Sequence, residues 1–164
     1  MRAAERTFQL ISQVAGRTGR SARGGRVFVQ SSSPAEPAIL RASRHDYLGF
    51  AVDELRHRVE RGMPPYAHLA RIIIRSTDEV QACQHADEIA RRLRAANEKG
   101  ERGVRILGPS VPPIARLKSH FRFHIQMAHA EVESIRQLWR EVADELPKTS
   151  HAEHTIDVDP INMR

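Results

Sequence analysis

The stretch "QVAGRTGR", residues 13–20, places Arg17 and Arg20 three positions apart, each directly after a glycine, Gly16 and Gly19. Arginine carries a permanent, planar charge whose fork matches phosphate oxygens. Glycine permits a tight turn and close backbone approach. Two such arginines just past a helix end can face one terminal phosphate and stabilise the charge that develops in phosphoryl transfer. Gln13 lies one helical turn before Gly16 and can face the same cleft. The competing reading is an exposed basic loop, since short motifs match often.

A second basic group, Arg116, Lys118 and Arg122, sits beside His120 and Phe121. It suits contact with a nucleic-acid backbone or stacking on bases. Phe121 and Phe123 also share a strand face, which assigns them first to a core. The nine histidines are scattered. His151 and His154, with Glu153, Asp157 and Asp159 nearby, read as solvated polar residues beside a strand, so no metal ligands are assigned. Cys83 is the only cysteine, which excludes an internal disulfide and any cysteine-based zinc site.

The 164 residues carry 40% hydrophobic side chains and a formal net charge of +6. That composition supplies a core and favours a polyanionic partner. Arg2, Arg6, Arg17, Arg20, Arg23 and Arg26 face only Glu5 among the first 30 residues, so the excess is concentrated there. Arg2, Glu5 and Arg6 interrupt any signal-peptide pattern, and no apolar run approaches the roughly 20 residues of a membrane span. A soluble, intracellular protein is expected.

The elements that position these groups follow from periodicity. Residues 3–15 predict a helix through Phe8, Ile11, Val14 and Ala15, stopped by Gly16. "RVFVQ" (26–30) predicts a short strand, and 35–62 one long helix burying Ile39, Leu40, Tyr47, Phe50, Leu55 and Val59. Pro64 and Pro65 break the chain, and the domain boundary is expected there. Beyond it come a strand at 69–76, a helix after Thr77 and Asp78, and a strand at 104–109. A proline-containing loop or hairpin arm, a strand at 121–129, a helix at 130–146 and a strand at 154–160 complete the order. The first helix is expected to bury Val80, Cys83, Ala86, Ile89, Ala90 and Leu93, the second Val132, Ile135, Leu138, Trp139 and Val142. This β-α-β-β-α-β order predicts a ferredoxin-like α+β domain, with two helices on one face of a four-stranded antiparallel sheet.

"QVAGRTGR" resembles motif VI of superfamily-two helicases. The run "RAAERTFQLISQVAGRTGRSARGGRVFVQSSSPAEPAI" resembles the end of the second RecA-like lobe in the PriA family, the primosomal protein N′ replication-restart DNA helicases. The likeness continues through "RHDYLGFAVDELRHRVERGMPPY", "ILGPSVPPIARLKSHFRFHIQ" and "IDVDPIN", and so covers essentially the whole chain in order.

The resemblance implies three segments: 1–34 as the remnant of an α/β RecA-like lobe, 35–63 as a connecting helix, and 64–164 as the C-terminal ferredoxin-like domain. It implies an ATP-dependent 3′-to-5′ DNA helicase acting in replication restart and primosome assembly at stalled forks. Arg17 and Arg20 would contact nucleotide phosphates, with Arg20 as the arginine finger. Gln13 would couple the cleft to neighbouring motifs, and Gly16 and Gly19 would shape the loop. ATP and magnesium would serve the parent protein. So would zinc, whose cysteine ligands this chain lacks. Implied partners are forked or single-stranded DNA, single-stranded-DNA-binding protein and other primosome proteins, in the bacterial cytoplasm in association with the nucleoid and with no membrane. Arg116, Lys118 and Arg122 would be the DNA- or partner-binding surface. The chain has no GxxxxGK[ST] loop and no DExH box, so it is expected to be a C-terminal piece that does not hydrolyse ATP alone. The apolar side of 3–15 would be left partly uncovered. The alternative is a non-enzymatic basic nucleic-acid-binding module.

Overall fold

The computed structural model describes residues 2–18, 25–112, 114–146 and 151–160. The chain forms two compact units, Met1–Arg61 and Gly62–Arg164.

The first unit is helical. Helix α1 runs Ala3–Thr18, α2 Pro37–Ser43 and α3 Tyr47–Glu60. The expected stop at Gly16 is not made. A Cβ at Gly16 would meet nothing within 4 Å, so the residue costs helix propensity without interrupting the helix. The helix continues to Thr18, whose hydroxyl donates back to the carbonyls of Val14 and Ala15 at 2.9 and 3.1 Å. Phe8 stacks on Phe50 with ring centroids 4.5 Å apart and, with Ala38 and Ala42, forms the small core.

Two further expectations fail in this unit. Residues 25–30 form no strand. A strand needs a neighbour for its backbone groups, and none pairs here among the described residues; Phe28 is 89% exposed. The single helix over 35–62 is two helices. His45 takes a positive φ of 53°, and Asp46 caps α3 by accepting from Gly49 N at 2.8 Å. Arg41 then ties the corner, reaching Asp46 at 2.5 Å and Asp53 at 2.9 Å. The corner redirects the second half of the apolar pattern. Phe50 is buried, whereas Leu40, Tyr47, Leu55 and Val59 are exposed. On α1 Val14 is exposed as well, as is Leu10.

The second unit follows the order β1 His68–Ser76, α4 Glu79–Lys99, β2 Arg105–Ser110, β3 Arg116–Leu117, β4 His120–His129, α5 Val132–Ala143 and β5 Glu153–Val158. All strand pairs are antiparallel, in the spatial order β2-β4-β1-β5, with the two-residue β3 added beside β4. The mixed α+β layering is therefore as expected, and the sheet has five strands rather than four.

One face of the sheet carries both helices. Ala70, Ile72 and Ile74 of β1 and Ile125 and Met127 of β4 pack on Ile89 and Leu93 of α4 and on Ile135, Leu138 and Val142 of α5. Asp78 starts α4 by accepting from Val80 N and Gln81 N at 2.8 and 3.2 Å. Asn97 fixes the return to β2 through both backbone groups of Val104, at 2.9 and 3.0 Å. The buried stripe of α4 is Ala82, His85, Ala86, Ile89, Ala90 and Leu93. Val80, expected inside, is exposed in the capped first turn, and His85 takes a core position instead. Trp139 packs partly buried against the core, as its spacing implies.

Candidate nucleic-acid interface

Side chains alternate along a strand, so residues opposite the core share the other face of the sheet. On β1 these are Leu69, Arg71, Ile73 and Arg75. The ladder sets Arg122 of β4 opposite Arg75, His124 opposite Ile73 and Gln126 opposite Arg71. From β5 it brings Glu153, Thr155 and Asp157 beside Arg75, Ile73 and Arg71. The face turned away from α4 and α5 thus concentrates basic side chains on an apolar floor.

The β3–β4 hairpin completes it. Arg116 pairs with Phe121 and Leu117 with His120, leaving Lys118 and Ser119 as a two-residue turn. Both take positive φ, 48° and 66°, the combination that a type I′ turn uses. His120 Nδ1 lies 2.9 Å from the Lys118 carbonyl and braces the turn. A hollow of ≈260 Å³ results, with Ile73, Leu117 and Thr155 as floor and walls and Arg75, Lys118, His120 and Arg122 around them.

Electrostatics distinguish the four. Arg75 is paired with Glu153 at 2.6 Å. Lys118 and Arg122 have no ion pair among the described residues. Arg71, deeper on the same face, lies 3.7 Å from Asp157. Burial holds the imidazole of His124 below its ordinary pKa, and Arg71 and Arg122 push it further down.

The expected site residues therefore separate. Lys118 and Arg122 share the hollow. Arg116 belongs to the alternate pair of the hairpin and stacks on Phe121, its guanidinium carbon 5.1 Å from the ring centroid. Arg75 and Thr155 were not anticipated. The signal was present in "LARIIIRS", where Arg71, Ile73 and Arg75 alternate with the core residues Ile72 and Ile74.

At the other candidate site, Gln13 and Arg17 lie four apart on α1 and are exposed. Arg17 makes no ion pair among the described residues. Gly16 is exposed on the same helix. Gly19 and Arg20 lie outside the described residues. No three His, Cys, Asp or Glu side chains among the described residues cluster as a metal site would require. A structural zinc ion is therefore not assigned to them.

The second unit is thus an α+β domain, β-α-β-β-β-α-β, whose two helices pack on one face of an antiparallel sheet and whose other face carries Arg71, Arg75 and Arg122. Residues 59–161 match the model of the primosomal protein N C-terminal domain, and the chain belongs to that family. It is similar to the replication restart protein PriA of Bacillus subtilis (strain 168), 33% identical over 165 residues. The same-named proteins of Treponema pallidum (strain Nichols) and Haemophilus influenzae are 33% and 31% identical over 162 and 163 residues. Each match covers 99% of this chain but 20%, 24% and 22% of the respective relative. The chain thus spans about a fifth to a quarter of these relatives and corresponds to their C-terminal part.

Proposed function

We propose that this chain serves as the C-terminal part of an ATP-dependent 3′-to-5′ DNA helicase acting in replication restart and primosome assembly. Its second unit holds DNA through the hollow. The observation that carries the DNA reading is the pair Lys118 and Arg122, two cations with no ion-pair partner among the described residues, beside an apolar floor. Cations in that state exchange counterions for phosphates with little desolvation penalty. Arg75 joins them when a phosphate competes with Glu153. Single-stranded-DNA-binding protein and other primosome proteins are the proposed protein partners, by the same family likeness. Among the described residues no helix is long and apolar enough to cross a membrane, and the proposed setting is the bacterial cytoplasm.

In the first unit, the proposed role of Arg17 and Arg20 is to receive the phosphates of ATP, with Gln13 aligning the cleft and Gly16 and Gly19 leaving it room. The nucleotide, with magnesium, supplies the energy of phosphoryl transfer. The arginines bind and orient the phosphates and neutralise developing charge. This chain alone should be inactive in hydrolysis, since no phosphate loop or DExH box is present in it.

The test mixes this chain with a separately made helicase front half and forked DNA. Hydrolysis that appears only in the mixture, and disappears with Arg20→Ala, supports the helicase reading. DNA binding by this chain that weakens with Arg122→Gln, with no hydrolysis in any mixture, favours a non-enzymatic binding module.

A further inference from the structure

His85 and His154 meet on the helix-facing side of β5. Nε2 of His85 stands 3.1 Å from Nδ1 of His154. His85 is 7% exposed, and Trp139 of α5 covers His154 edge-on with ring centroids 5.5 Å apart. The contact therefore joins α4, α5 and β5 across 69 residues of sequence. Their bond needs one N–H and one lone pair, so it survives with both rings neutral. A first added proton leaves a charge in a buried place, and a second sets two N–H groups against each other.

The surroundings offer that charge little. Glu88, nearly one turn along α4, is the carboxylate that favours a charged His85, and burial together with His154 outweighs it. Burial depresses His154 as well. From β1, the residue opposite His154 is the apolar Ile74. Glu153, adjacent on β5, projects to the other face and is engaged with Arg75. Among the described residues β5 pairs with β1 and with no other strand. Its residues flanking His154 are Glu153, which holds Arg75, and Thr155, which walls the hollow.

We infer that His85 and His154 form a proton-released latch that seats β5, and that releasing it loosens the Thr155 wall and the Glu153 tether of the basic hollow. The second half rests on the reading of that hollow as a binding surface. A base whose folded pKa is depressed stabilises the fold above its ordinary value of about 6.5 and loses that contribution as pH falls.

The experiment follows the full chain from pH 8 to pH 5 by imidazole nitrogen NMR and amide exchange, corrected for intrinsic exchange. Both rings should titrate below the ordinary value. Protection at Thr155 and Ile156 should fall about tenfold per pH unit for each proton taken up, while Ile125 and Met127 in β4 hold. His85→Gln, which keeps hydrogen-bonding capacity without titration, should reduce the pH slope of β5 protection to that of the one proton His154 still takes up. If that variant fails to fold, the wild-type titration alone decides. Ordinary pKa values, or β4 and β5 losing protection together, overturn the latch. Binding of a fluorescent oligonucleotide separates the two halves. Selective β5 release with the same pH profile of affinity in wild type and His85→Gln overturns the coupling to the hollow. No binding at any pH overturns the surface reading, and the exchange data still judge the latch.

Discussion

Arg75 and Arg122 stand directly opposite each other across the β1–β4 ladder. Like charges in that position oppose folding by a few tenths of a kcal/mol, up to about 1. Glu153 relieves Arg75 from the β5 side, whereas Arg122 has no ion pair among the described residues. A polyanion laid on this face supplies the missing counter-charge. Arg122→Gln should therefore weaken DNA binding and lower the slope of log affinity against log salt by about 1. The same change should leave stability equal or raise it by under ~1 kcal/mol. Fluorescence anisotropy over a salt series, set beside urea melts, measures both. Loss of binding together with loss of stability would point to damage of the fold instead.

The Lys118-Ser119 turn makes a parallel case. A type I′ turn favours Asn-Gly, because both central residues need positive φ. Here a lysine and a serine occupy those places, and such backbone strain costs on the order of 1 kcal/mol or more per residue. The double change Lys118→Asn with Ser119→Gly should raise stability by about 1 kcal/mol and reduce DNA affinity several-fold. Ser119→Gly alone should stabilise without the loss of affinity. Thermal melts and binding titrations of the two variants separate the turn's geometry from the lysine's charge.

Gly108 lies in β2, farther along the same side of β4. Its φ is 101°, and a Cβ there would lie 2.7 Å from the carbonyl oxygen of His124, a backbone atom that cannot swing away. The ladder between β2 and β4 is already irregular between Leu107 and Ser110, where the chain shifts register. The Arg94 guanidinium also donates to the Gly108 carbonyl. Gly108→Ala should cost about 1–3 kcal/mol. Amides of β2 should exchange faster before those of β1 do. Equal stability of the variant and the parent would show that the edge can relax.

Much of this fold could be read from spacing. "LARIIIRS" and "FRFHIQMAH" have the β-branched and alternating character that only a sheet satisfies, and Asp78 announces α4. The failures have physical causes. "RVFVQ" has the alternation of a strand, yet alternation cannot supply a neighbouring strand. The pattern over 35–62 has helical period, but the Arg41 bridge to Asp46 and Asp53 stabilises a corner that periodicity does not encode. The candidate interface was half legible. Lys118 and Arg122 stood out as charges. That Arg116 turns to Phe121 depends on the β3–β4 register, which the turn at 118–119 decides, and that Arg75 joins from a strand over 40 residues away depends on the non-local β1–β4 register.

Where β5 ends, Asp159 tests the acid side of stability. Its carboxylate accepts from Leu69 N at 3.0 Å and lies 2.7 Å from His68 Nδ1. Its own N–H reaches back to the Leu69 carbonyl at 2.6 Å. Partial burial works against the charged form, but the bonds from His68 and Leu69 outweigh it, so the carboxyl is held below its ordinary pKa. A depressed carboxyl contributes stability above the unfolded value of about 3.9, and the contribution is lost as pH falls through the folded value. Asp159 is about half exposed, so solvent screening limits the effect to under ~1 kcal/mol. Asp159→Asn should lower the urea midpoint slightly at pH 6, and the difference from wild type should shrink toward pH 3. The residue also sits at a φ of 51°, which Asn tolerates as well as Asp. The backbone is thus unchanged, and the pH dependence isolates the charge. A deficit that stays constant from pH 6 to pH 3 would assign the role to the hydrogen bonds and not to ionisation.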